Sequence, residues 1–465
     1  MSLPKKKSAS KKAAPKLKSR NFRPTCESLE SRLNLAGNVL AYALGPNLYI
    51  YGDNLSNEVR IEGVVAGTVE VTGVGTSVNG IANGQIVPKG IQNIFMEMGN
   101  GDDSATFVLT NITGMLRFNG SNGNDSLTFG EDNGDSNSFG SVAATMGAGN
   151  DAINVDDGSF TARQSFVALN GDGNNVTDLD PTVSLTLGLV SITGGSGSDF
   201  IDLGDTLVNT GYITVNSGDG DNDFFIDGNT TINGGITVIG GSGPDNFEPG
   251  DFGFNPQLTV NGSIVASLGN GTNFIEFASD NVDVTGLISV TGGSGIDTFD
   301  FDTLTFDVYA ISLSLGAGDN EVLMNEGATT IRSSLTIATL GGADEITGFG
   351  LNVFGGVVVS TGEGDDLIQL DNSRFRSVVT VSTAGGNDRV NVENGNQNDG
   401  IGTQFDSIVS MDLGAGSDTL DIGVDANDFV RFNSRVIVNG GLGTDTLLPS
   451  AFNVFALAPT LISFP

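Results

Sequence analysis

From residue 99 onward, short apolar segments alternate with glycine-rich turns at a nearly constant interval. A turn of the form Gly-x-Gly-x-Asp/Asn ends at an anchor residue that recurs as Asp103, Asp125, Asp151, Asn175, Asp199, Asn222, Asp245, Asn273, Asp297, Asn320, Asp344, Asp366, Asp388, Asp418 and Asp445. Some copies are degenerate, as in Gly341-Gly-Ala-Asp344 and Ala384-Gly-Gly-Asn-Asp388, and the steps of 22 to 30 residues average about 24. Two residues past the anchor the chain is apolar in every copy but one, as at Leu127, Ile153, Ile201, Phe224, Phe299 and Val390, the exception being Thr177. Three past it stand mainly polar groups, including Asp178, Asp202, Glu248, Glu276, Asp300 and Asp421, and the fourth position is mostly apolar again. Alternation with a period of two predicts a half-buried strand after each turn. Runs such as Val190–Thr193, Ile236–Ile239 and Val378–Val381 predict a second strand before most turns.

A repeat of this length is too long for a hairpin and too short for a pair of helices, and each strand has its counterpart one period later. The pattern predicts an all-β fold, a single-stranded parallel β-helix (solenoid) of about 15 coils with about 24 residues per coil. Four stretches follow: a disordered basic arm over 1–35, first coils or an N-terminal cap over 36–98, the repeats over 99–450, and a C-terminal segment over 451–465 covering the open end of the core. That last stretch is apolar but too short and too interrupted by proline to span a bilayer, so no transmembrane segment is expected.

Composition sharpens this picture. Gly supplies 68 of 465 residues and Pro only 12, which suits many tight turns rather than a collagen or a proline-rich linker. Half of the 20 Lys and Arg residues lie within the first 32 positions, while nearly all of the 55 Asp and Glu residues fall in the body. Such a body repels nucleic acid and anionic lipid and attracts cations that prefer oxygen ligands. With no His and a single Cys, a His-dependent triad, a His or thiolate zinc site and an internal disulfide are all excluded.

The basic arm lacks the apolar core of a standard signal peptide and ends in Phe22-Arg-Pro-Thr-Cys-Glu-Ser-Leu-Glu-Ser-Arg-Leu-Asn-Leu-Ala36. This stretch resembles the LEPR-XLL-type N-terminal region of large planctomycete exported proteins. Leu29, Glu30, Arg32 and Leu35 match, whereas Ser31 replaces the Pro and Asn34 the first Leu of the pair. The resemblance implies an exported protein, extracellular or at the surface of a bacterium, and says nothing of activity.

The turns Gly194-Gly-Ser-Gly-Ser-Asp199, Gly240-Gly-Ser-Gly-Pro-Asp245 and Gly292-Gly-Ser-Gly-Ile-Asp297 resemble the Gly-Gly-x-Gly-x-Asp repeats of RTX calcium-binding β-rolls. That resemblance implies Ca²⁺ as a ligand, with Asp103, Asp125, Asp151, Asp199, Asp245, Asp297, Asp344, Asp366, Asp388, Asp418 and Asp445 as metal-binding candidates and Asp202 and Asp300 as outward partners of the anchors before them. The RTX turn recurs after roughly nine residues, but here position 208, nine beyond Asp199, is a valine. An ion would therefore sit between successive coils, or between an anchor and the acid three residues later. The alternative is a backbone device, because Asp and Asn close tight turns through their own side chains and stack as hydrogen-bonded ladders without metal. Two stacked carboxylates about 5 Å apart repel by about 3 kcal/mol at an effective dielectric of about 20. The Asp–Asn alternation from Asp151 to Asp344 relieves this repulsion, and the all-Asp run from Asp366 to Asp445 does not.

Parallel β-helices also host polysaccharide lyases and glycoside hydrolases, an alternative that rests on fold alone. Arg374, Arg376, Arg389, Arg431 and Arg435 are the one candidate basic site, and no step between anchors leaves room for a long cleft-building insertion. The sequence thus favours a non-enzymatic structural or adhesin-like surface protein. Calcium ions and surface polysaccharides or proteins are its expected partners.

Overall fold

The computed structural model describes residues 37–465 apart from 133, 205–206, 210, 252–255, 325–326, 394–401, 425–427 and 465. The chain divides into Met1–Asn34 and Leu35–Pro465. The basic arm and the Leu29–Leu35 motif lie outside the described residues. Among the described residues there is no helix, and the second unit is the parallel β-solenoid that the repeat predicts, with turns roughly 24 residues apart.

Each coil opens with the strand that follows its turn. Ser126–Phe129 pairs in parallel with Ser104–Val108 on one side and Ala152–Val155 on the other, with Leu127 opposite Ala105 and Ile153. The rest of the coil forms a second parallel sheet. In some coils this is one long bent strand, as in Ser136–Ala148, whose register on Ser159–Asp172 shifts between Phe139 and Ser141. In other coils it is two strands, as in Thr230–Ile232 and Ile236–Gly240, and the single long strand returns at Asn281–Gly292 and Thr305–Ala317. Like residues thus stack on like, and the apolar column two past each anchor is buried from Ala105 to Leu420, with Leu447 of the last coil partly so. Aromatic positions form short internal stacks: Phe224 and Phe247 lie 5.1 Å apart at 4°, and Phe375, Phe405, Phe432 and Phe455 follow one another at 5.0–5.1 Å. Thr177, the polar exception, is fully buried and accepts a hydrogen bond from Nδ2 of Asn170 at 3.1 Å.

The solenoid begins with hairpins. Asn38–Leu44 and Asn47–Tyr51 pair antiparallel, as do Glu58–Val65 and Thr68–Gly73. The inner member of each hairpin then starts one of the two parallel ladders, pairing with Asn93–Glu97 and Ser104–Val108 respectively. Folding a hairpin over the first coil covers strand edges that would otherwise pair with another chain. At the other end, Val454–Phe455 and Thr460–Ile462 stack in parallel on the strands of the preceding coil, so 451–465 supplies strands to the last coil.

Candidate functional site

The turn is set by one glycine. Two residues before every anchor, from Gly101 to Gly443, stands a glycine with φ between +120° and +157°, a conformation that L side chains rarely adopt. There is also no room for a side chain: a Cβ on Gly149 would lie 1.8 Å from the carbonyl oxygen of Gly123 in the previous coil. The degenerate turns keep this glycine, as Gly342 and Gly386.

The turn directs the anchors inward, where all fifteen are between 1% and 4% exposed. They form a directional ladder in which Oδ1 of each anchor accepts a hydrogen bond from the coil before it. Asn57 starts it, donating its backbone N–H to Asp103 at 2.7 Å. The N–H of Asp103 donates to Asp125 at 2.9 Å, Asp125 to Asp151 at 2.8 Å, Asp151 to Asn175 at 3.0 Å, and Asn175 to Asp199 at 2.9 Å. Farther on, Asp344 donates to Asp366 at 2.9 Å, Asp366 to Asp388 at 3.0 Å, Asp388 to Asp418 at 2.9 Å, and Asp418 to Asp445 at 3.2 Å. At Asn222 and Asn273 the rung is made by Nδ2, which donates to Oδ1 of Asp245 and Asp297 at 2.8 and 2.7 Å.

The second side-chain atom separates the two anchor types. Nδ2 of Asn175 donates to the carbonyls of Gly171 and Gly173, both at 3.1 Å, and Nδ2 of Asn222 to those of Gly218 and Gly220. At all eleven Asp anchors Oδ2 is sealed from solvent and has no hydrogen-bond partner. Burial accordingly pushes Asp125 up to about 7, with the N–H of Asp103 opposing the rise and the charges of Asp103, Asp151 and Asp102 adding to it. Asp103, Asp199, Asp245, Asp297, Asp366 and Asp418 are pushed up to about 6, burial again being the main cause. At Asp199, Asp245 and Asp297 the N–H groups of Gly195, Gly241 and Gly293 temper the rise from beyond proper hydrogen-bond geometry. At Asp366 and Asp388 the hydroxyls of Thr361 and Thr383 do so.

Asp202 and Asp300 lie three residues past their anchors and face outward from the same strand. Because successive side chains alternate between faces, they sit on the opposite side of the strand from Asp199 and Asp297. Neither pair converges on one point. Across coils Asp202 is in register with Asp178, and Asp300 with Glu276; Asp300 is raised by burial, then by Asp302 and Glu321. Ca²⁺ takes about six to eight oxygen ligands. Among the described residues no three acidic groups gather to hold a metal, one oxygen of each Asp anchor already accepts a hydrogen bond, and the other is closed to water.

Three features escaped the sequence reading. Asn57 is the first rung and lies outside the periodic turns. A second, exposed ladder runs one residue before the anchors: the N–H groups of Asn124, Asn150 and Asn174 donate to Oδ1 of Asp102, Asn124 and Asn150 at 2.8, 2.8 and 2.9 Å. The recurrence of Asn at that position was its signal. Glu393, almost fully buried at φ +57°, is pushed up to about 7 by burial, against hydrogen bonds from Thr403 Oγ1 and the N–H of Asn372; no sequence pattern marks it.

The basic residues are engaged singly along the surface. Arg374 pairs with Asp406 at 3.0 Å and Arg389 with Asp421 at 3.5 Å, while the guanidinium of Arg376 lies 4.2 Å from the ring centre of Phe354. No family model matches the chain, and no curated protein matches it.

Proposed function

We propose that this is a structural repeat protein, exported or displayed at a bacterial surface, whose solenoid presents a long acidic face to surface polysaccharides or neighbouring surface proteins. One observation carries the reading: the ladder runs from Asn57 to Asp445, so the conspicuous polar residues of the repeat are turned inward and hold coil to coil. An uninterrupted ladder suits a protein that needs length and uniform surface chemistry more than one precise pocket. The basic arm and its LEPR-XLL-like stretch supply the argument for export, and no helix among the described residues is long and apolar enough to cross a membrane. Fractionation of the producing cell, with the chain detected by antibody, tests location: recovery outside the cytoplasm is expected, and recovery with the cytoplasmic proteins contradicts the reading.

A polysaccharide lyase would have to use the arginine strip, where Asn352, Arg374, Gln404 and Arg431 stand in register on successive strands, whereas a glycoside hydrolase would need paired carboxylates in a cleft. Turnover of an acidic polysaccharide that Arg374→Ala abolishes would establish that reading instead.

A further inference from the structure

The outer surface of the coils is not uniformly acidic. On the strand after each turn the outward row includes Asp178, Asp202, Glu248, Glu276 and Asp300. On the first limb of the second sheet Asp283 and Asp307 stand in register, as do Arg374, Gln404 and Arg431. The limb that leads into each turn is different. There two outward columns run side by side through eleven successive coils, one from Ala143 to Thr380 and the other from Thr145 to Ser382, each residue in register with its counterpart in the next coil.

None of these residues is charged: Ser and Thr fill most positions, and Ala, Val, Leu, Ile and Asn216 the remainder. Arg117 precedes the first column and Asp412 follows the second. A third column two residues earlier, from Ser141 to Val378, is uncharged as well. Large apolar side chains stand exposed across the face, among them Leu169, Leu189, Tyr212, Ile239, Val265 and Val358. Charged residues are the usual occupants of water-facing positions, and this chain places them on the neighbouring limbs. On the turns the hydroxyls of Ser196, Ser242 and Ser294 donate to Asp172, Asp219 and Asn270 one coil back at 2.8–2.9 Å. No hydroxyl of the two columns has such a partner among the described residues.

We propose that this face is where two copies of the chain pack side by side, sheet on sheet, about a two-fold axis near Val265 in the middle coil. Asp and Glu outnumber Lys and Arg by 55 to 20, so like charges oppose the approach of two copies elsewhere, and here nothing does. Serine and threonine hydroxyls both donate and accept, which lets one face satisfy a second copy of itself, as a two-fold contact requires. Ten steps of about 4.8 Å, with about 13 Å across three outward positions, give roughly 600 Å² per copy, or about 1,200 Å² in all, within the range of specific interfaces. The inference does not depend on where the protein acts, and it leaves the acidic row of each copy open to other partners.

Sedimentation of the full chain in chelator, over a series of concentrations and at low and high salt, tests it. A concentration-dependent dimer is expected, and salt should strengthen it by screening the acidic limbs. Val265→Asp sets like charges against each other in the middle of the face and should raise the dissociation constant at least about tenfold. Gln257→Asp, which puts the same charge on the neighbouring limb, should leave it unchanged. Circular dichroism shows whether each variant folds, and Ser289→Asp, in register with Val265 one coil on, decides if Val265→Asp does not. The proposal is overturned if the chain is monomeric at every concentration, if the folded face variants dimerise as the wild type does, or if the dimer forms only with Ca²⁺ present. A monomer that an insoluble neutral glucan retains, and that loses this retention in Val265→Asp, would also overturn it and assign the face to a glycan.

Discussion

The backbone N–H of Asp151 donates to Oδ1 of Asn175 in the next coil at 3.0 Å, while Nδ2 of Asn175 turns back onto the carbonyls of Gly171 and Gly173 in its own turn. One side chain thus ties two coils and closes a turn, so Asn175→Ala leaves a buried N–H and two turn carbonyls without their partner. A loss of about 2–4 kcal/mol is expected in denaturant unfolding. Asn150→Ala removes a rung of the exposed ladder, where water substitutes, and should cost no more than about 1 kcal/mol.

The glycine two residues before the anchor is fixed by conformation and by contact. Gly149→Ala puts a methyl on a backbone at φ +146° and 1.8 Å from a carbonyl oxygen, and a loss of about 3 kcal/mol or more is expected. Gly45, at φ +61° with open space around it, is the control: Gly45→Ala should cost about 1 kcal/mol. Equal losses in the two variants would show that stacking imposes no steric limit on the turn.

Thr177 and Asn170 form a polar pair inside the apolar column. Thr177→Val should cost about 1–3 kcal/mol, because Asn170 is left buried without its partner. Adding Asn170→Leu should restore much of the loss, which a double-mutant cycle measures directly.

The pH dependence follows from the buried carboxyls. Asp125 is pushed up to about 7 and Asp103, Asp199, Asp245, Asp297, Asp366 and Asp418 to about 6, from an ordinary 3.8. A raised carboxyl binds its proton more tightly in the folded chain than in the unfolded one. Its contribution is complete below about pH 4 and is lost as pH rises through 6 to 7. In the presence of chelator the melting temperature should fall between about pH 5 and pH 8, and a rise across that window would contradict the sign.

The coil period, the inward column from Ala105 to Leu420 and the strand after each turn were legible because a period-two strand stacked on its own copies leaves a strict apolar pattern. The destination of the anchors was not. An Asp in a glycine-rich turn is ordinarily a surface group with both oxygens free for a cation, and only the stacking of one coil on the next turns it inward and occupies Oδ1. For the same reason the invariant element of the turn is the glycine at positive φ, preserved at Gly342 and Gly386 where the longer motif fails. The starting hairpins were read only as first coils or a cap, since Glu58–Val65 and Thr68–Gly73 alternate in the same way whether they pair antiparallel or stack in parallel.

The anchors tie coil to coil, and hydrogen exchange at their backbone amides tests this most directly. Each amide from Asp103 to Asp199 donates to a side chain in the next coil, so these amides should exchange as slowly as the slowest core amides of Ala152–Val155, with chelator present, at about pH 5. Anchor amides that exchange as fast as those of the exposed turn residues, or that gain protection only when Ca²⁺ is added, would contradict it.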